Sequence, residues 1–151
     1  MRLTLPYEKQ QEIEQACQRL VLDAAAFTDR QEYAELAALF TTEGKLYRPA
    51  DPQNPLVGGE AICAAYLARP RQRITRHICS NIRVTLDSLE QARVHCYVQV
   101  FAANTEHDKD GHFGWPVDGR VMVGEFDDLC VVENGEWLFA ERRAQFVMYS
   151  I

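Results

Sequence analysis

The chain has 151 residues, 47% of them hydrophobic, which suits one domain (1–151) with a substantial core and is short for two. With 16 Lys and Arg against 22 Asp and Glu, a net charge of -6, it lacks the basic face that a nucleic acid or an anionic membrane surface requires. No apolar run approaches the roughly 20 residues that span a bilayer, and MRLTLPYEKQQ lacks the apolar centre of a secretion signal, so a cytoplasmic protein is expected.

In chain order, Pro6 suits a first helical turn, and Ile13, Ala16, Cys17, Leu20, Val21, Ala24 and Phe27 then recur at helical spacing. This predicts a long amphipathic first helix. DRQEYAELAALF restarts the pattern with Asp29 at an N-cap position and Glu32 three residues on, approximating a capping box, so the first helix should break near Asp29. A short strand is expected around residues 45–48. Residues 50–59 read as a loop, because PADPQNPLVGG carries three prolines and paired glycines.

A third helix, about 60–68, ends before Pro70, and strand patterns follow over 75–87, 92–102, 121–132 and 136–148. The middle strands are separated by the polar, glycine-rich NTEHDKDGHFGWPVDGR, and the last two by the Asn-Gly turn of ENGE. Helices first and long antiparallel strands afterwards indicate an α+β domain whose helices cover one face of a curved sheet. The five cysteines are odd in number, scattered and set in apolar segments, as reduced core cysteines are, and none has zinc-knuckle spacing.

The chemically suggestive stretch is RITRHICSNIRV. Alternation places His77, Cys79 and Asn81 on one face and Arg76, Ile78, Ser80 and Ile82 on the other, so neither face is cleanly apolar and the strand is expected to line a cavity. A strand histidine aimed into such a cavity is a candidate general acid-base, with a reference pKa close to neutrality. Asp29, at the junction of two helices, is positioned in sequence to accept a hydrogen bond from one ring nitrogen and fix the tautomer. Two plainer readings stand beside this one: Asp29 as a helix cap worth about 1 kcal/mol, and His77 as a core histidine satisfied by a backbone carbonyl.

Tyr97 shares parity with His95, Gln99 and Phe101, and its hydroxyl reaches a substrate oxygen if that face points inward. Phe126 and Asp128 alternate together, and an inward Asp128 needs a cationic partner, Arg142 or Arg143. His107 and His112 bracket DKDG in the long loop without the oxygen-ligand spacing of a calcium site. No phosphate-cradling glycine loop, nucleophile elbow or zinc-protease motif occurs.

Four segments in order resemble SnoaL-like members of the nuclear transport factor 2-like (cystatin-like fold) superfamily: DRQEYAELAALFTTEG, GGEAICAAY, RHICSNIRV and GEFDDLCVVENGEWLFAERR. The resemblance implies a cone-shaped α+β barrel with a pocket between sheet and helices. Scytalone dehydratase-like and bile-acid dehydratase-like enzymes are similar at the positions of Asp29 and His77. It further implies a cofactor-independent dehydratase, cyclase or isomerase acting on a cyclic, largely apolar, oxygenated molecule such as a polyketide or steroid. His77, Asp29 and Tyr97 would then be catalytic. Tyr33, Tyr47, Tyr66, Asn81, Phe101 and Phe126 would bind substrate, and Thr28 departs from the tyrosine that such enzymes carry before the aspartate. RITRHICSNIRV and the closing hairpin also resemble the structural small subunit of ring-hydroxylating dioxygenases, which packs against a larger iron-bearing subunit. A non-catalytic binder of small molecules is a third possibility. Exposed strand faces lead to the expectation of a homodimer or homotrimer.

Overall fold

The computed structural model describes residues 4–151. The helices are α1 Tyr7–Asp29, α2 Tyr33–Ala37 and α3 Gly59–Leu67. The strands are β1 Phe40–Arg48, β2 Asp51–Val57, β3 Arg73–Leu86, β4 Gln91–Asn104, β5 Val121–Glu133 and β6 Glu136–Ser150. They form one sheet in the order β2-β1-β6-β5-β4-β3, antiparallel except for the parallel β1/β6 pair. The sheet curves around the helices and stays open, leaving β2 and β3 as its edges.

The apolar stripe of α1 does what its spacing predicts. Ile13, Cys17, Leu20, Val21 and Ala24 are buried, and the helix packs along β3. Beneath it the inward residues of β4 to β6, among them Val94, Cys96, Cys130 and Phe139, join Phe40 and Ile62 in one core. The Phe40 and Phe139 rings lie 5.3 Å apart and tilted, an aromatic pair at the centre of that core. All five cysteines are free, and Cys17, Cys96 and Cys130 are fully buried.

Three expectations need correction. Residues 51–57 are not a loop: β2 pairs with β1 through Lys45↔Val57 and Leu46↔Leu56. Pro52 and Pro55 are tolerated because β2 is an edge strand, where a missing N–H breaks no ladder bond on the open side. The first strand starts at Phe40 rather than near residue 45, since the Phe139 N–H donates to the Leu39 carbonyl at 2.8 Å and draws this segment into the sheet beside β6. Pro6 lies just outside α1 with φ -54° and ψ 141°, its carbonyl accepting from the Gln10 N–H at 3.1 Å.

The most consequential irregularity is in β3. Its pairing with β4 shifts between Ser80 and Arg83, and Asn81 takes φ 54°. This bulge inserts an extra residue and resets the alternation. Thr75, His77 and Cys79 face inward before it, and Ile82, Val84 and Leu86 pack on the core after it. Asn81 itself is exposed.

Candidate active site

A cavity of about 450 Å³ opens between the helices and the sheet. Leu36, Phe40, Leu46, Val98, Val100 and Phe126 give it apolar walls, contributed by α2, β1, β4 and β5. His77, from β3, lies on the same lining, as does Thr28 near the end of α1.

His77 and Asp29, 48 residues apart in sequence, meet at the helix-sheet junction. The His77 ring Nδ1 lies 2.6 Å from Asp29 Oδ1, the His77 backbone N–H donates to Oδ2 at 2.8 Å, and the Thr75 hydroxyl donates to Oδ1 at 2.9 Å. Burial pushes the Asp29 carboxyl upward, but the His77 ring, the His77 backbone N–H and the Thr75 hydroxyl together outweigh it and hold the group below its ordinary 3.8. A carboxylate so held orients the imidazole with Nδ1–H toward Asp29 and the Nε2 lone pair free for a substrate proton. The helix-cap reading of Asp29 is overturned: Glu32 occupies the cap position of α2, no side chain caps that helix, and the Asp29 oxygens are occupied by β3.

An ion pair underlies the cavity floor. Arg142 Nε donates to Asp128 Oδ1 at 2.9 Å, both side chains are almost completely enclosed, and the guanidinium lies 3.7 Å over Phe126 and 4.6 Å over Phe139. Burial raises the Asp128 carboxyl to about 6 against the opposing pull of Arg142. Among the described residues, three enclosed side-chain polar atoms find no protein hydrogen-bond partner: Asp128 Oδ2, Arg142 Nη2 and Arg48 Nε. Arg142 and Arg48 both line the cavity. Sequence reasoning marks Arg142 only as a structural partner and misses Arg48; the available signal is the alternation of KLYR, which puts Arg48 on the same face as the core residue Leu46.

Several expected site residues lie elsewhere. Tyr97 is 48% exposed because Cys96 and Val98 take the inward positions of β4, and its ring meets His95 edge-on at 5.7 Å on the outer face. There His95 Nε2 pairs with Glu125 Oε2 at 2.5 Å. Phe101 pairs in register with the exposed Arg76, follows the outward parity of Tyr97 and is absent from the cavity wall. Asn81 is carried outward by the bulge. Tyr47 pairs with Arg143, whose guanidinium sits 3.8 Å over its ring, on the face opposite Leu46 and Arg142. The Tyr33 and Tyr66 rings lie 5.3 Å apart and tilted, and Tyr33 is absent from the cavity wall. Tyr66 and Phe126 do line the cavity. Among the described residues no group of three or more His, Cys, Asp or Glu is placed to hold a metal, and His107 and His112 are exposed on the long loop.

A family model described as a SnoaL-like domain matches residues 10–143. No curated protein sequence matches the chain. Solved structures share its fold: a scytalone dehydratase-like protein from Novosphingobium aromaticivorans superposes with a TM-score of 0.78 at 22% identity, over 96% of this chain and 91% of that one. A type 2 hexachlorocyclohexane dehydrochlorinase, LinA, gives a TM-score of 0.78 at 13% identity, over 96% and 92%. A Mycobacterium tuberculosis protein of unknown function gives 0.76 at 20%, over 95% and 76%.

Proposed function

Because the chain belongs to the SnoaL-like domain family, we propose that it is a cofactor-independent lyase or isomerase that uses His77 as its general acid-base and Asp29 to orient it. The observation that carries this reading is the 2.6 Å Nδ1···Oδ1 contact at the edge of a largely apolar cavity. The substrate class is a cyclic, largely apolar, oxygenated molecule, in keeping with the aliphatic and aromatic walls and the cavity size.

In the proposed elimination, Nε2 of His77 takes the proton from a carbon next to a substrate carbonyl. The electron pair of the broken C–H bond forms the new double bond, the C–O bond to a β-hydroxyl breaks, and the imidazolium returns its proton to the departing oxygen, releasing water. Asp29 keeps the tautomer throughout and stabilises the imidazolium, and positioned proton transfer of this kind contributes about 100- to 10,000-fold. Of the four candidate tyrosines, Tyr66 takes the carbonyl-polarising role, because its side chain lines the cavity.

The test is a panel of cyclic β-hydroxy ketones, followed by the absorbance of the conjugated product. Wild type is expected to turn over at least one member, and His77→Ala or Asp29→Asn to lose that turnover while keeping the wild-type circular dichroism spectrum. Unchanged turnover in either folded variant refutes the reading.

A further inference from the structure

The cavity runs against the charge of the chain. The protein is acidic overall, yet Arg48, Arg69, Arg73 and Arg142 line the pocket against one carboxylate, Glu125. Glu125 is already engaged on the outer side, by His95 Nε2 at 2.5 Å and by the Gln145 side-chain amide, which donates at 3.3 Å.

Two of these arginines are built into the floor. Leu46 pairs with Arg142 and Tyr47 with Arg143 in the parallel β1/β6 ladder. Leu46, Arg48 and Arg142 all line the cavity. Arg142 is 5% exposed and spends Nε on Asp128, leaving Nη2 enclosed without a protein partner. Arg48 Nε is likewise enclosed and unpartnered. An enclosed guanidinium N–H that has lost water and gained nothing is costly, and like charges lining one cavity repel. Asp128 offsets the charge of Arg142, whereas Arg48 Nε has no hydrogen-bond partner among the described residues. Both arginines line the cavity, and a planar carboxylate held there offsets their charge, since guanidinium groups match carboxylate geometry better than any other side chain.

We propose that Arg48 and Arg142 form an anion subsite and that the substrate of this cavity is a carboxylic acid, its carboxylate seated on the two arginines while its apolar ring extends toward His77. The proposal rests on the reading of the cavity as a small-molecule site and deepens it by assigning the substrate's charge. It divides the pocket in two: the arginine floor selects and orients, and the imidazole reacts.

The experiment needs no knowledge of the substrate. Binding of 1-naphthoate and of its neutral isostere 1-naphthamide is measured by isothermal titration calorimetry in low-chloride buffer. Wild type is expected to prefer the carboxylate by about tenfold or more. Arg48→Met keeps the aliphatic stem and removes the charge, and should bring the two probes to within about twofold. Asp128→Asn/Arg142→Met removes both charges of the buried pair together and should do the same, so no lone buried carboxylate complicates it. Equal binding of the two probes by wild type overturns the proposal, as does retention of the preference in either folded variant. His77→Gln should keep the preference; its loss there would move the anion to the imidazole and also overturn the assignment. Turnover in the His77 variants is read separately, so the acid-base reading and the anion subsite fail independently.

Discussion

Asp29→Asn changes one atom and no volume, and the geometry around it makes the outcome specific. The carboxylate accepts three hydrogen bonds, from His77 Nδ1–H at 2.6 Å, the Thr75 hydroxyl at 2.9 Å and the His77 backbone N–H at 2.8 Å. An amide cannot accept all three. If its oxygen takes the position of Oδ1, its NH₂ opposes the His77 backbone N–H, donor against donor. If its oxygen takes the position of Oδ2, the NH₂ faces Nδ1, and the ring satisfies it only by moving its proton to Nε2. The second arrangement keeps the backbone bond and is the expected one, so the base presented to the cavity becomes a donor. Loss of a hydrogen bond to a charged acceptor costs about 1.5–3 kcal/mol. For a chain of this size about 2 kcal/mol corresponds to a fall in Tm of about 4–8 °C. Turnover should fall by about 100- to 10,000-fold. Long-range ¹⁵N correlation of the His77 ring reads the tautomer directly, with Nδ1 protonated in wild type and Nε2 protonated in the variant. The stability gap should also close in acid: Asp29 is held below its ordinary value, so its contribution is complete above that value and disappears as the pH falls through the folded-state pKa. An unchanged tautomer with an unchanged Tm would refute the reasoning.

The sign is opposite at Asp128, whose carboxyl is raised from 3.8 to about 6. The native state there binds more protons than the unfolded chain, so stability should decline by about 3 kcal/mol as pH rises from about 4 to about 6 and then level off; urea unfolding across that range measures it, and Asp128→Asn should remove that decline. Phe139→Ala empties the centre of the core, where the ring is fully buried against Phe40, and should cost about 3–5 kcal/mol in the same assay. Asn81→Gly relaxes a residue at φ 54° and should stabilise by a few tenths of a kcal/mol, about 0.5, while Tyr97→Phe should leave turnover unchanged because its hydroxyl lies outside the cavity. A large loss of activity in Tyr97→Phe would contradict the assignment of faces in β4.

Much of this protein is determined locally and is therefore legible in the order of its amino acids. The 3.6-residue stripe of α1 and the long strands β3 to β6 follow from periodicity, because each buries an apolar face whatever its partner turns out to be. The proposed pairing of His77 with Asp29 is legible through the resemblance of RHICSNIRV and DRQEYAELAALF to family segments, since the residues alone leave the core-histidine and helix-cap readings open. What the tertiary structure alone decides are the matters of pairing and phase. Whether PADPQNPLVGG is a loop or a strand depends on an edge position next to β1, and prolines cannot announce such a position in advance. Strict alternation assigns Asn81 to the cavity, and a bulge of one residue moves it to solvent, since a period of two turns any single insertion into a reversal of faces. Tyr97, Phe101 and Tyr47 fall on the opposite face from the one expected because which parity points inward is set by the helices that cover the sheet, a contact between segments far apart in the chain. Arg48 escapes notice for the complementary reason: an arginine in a strand reads as solvated until the walls that enclose its Nε are in place.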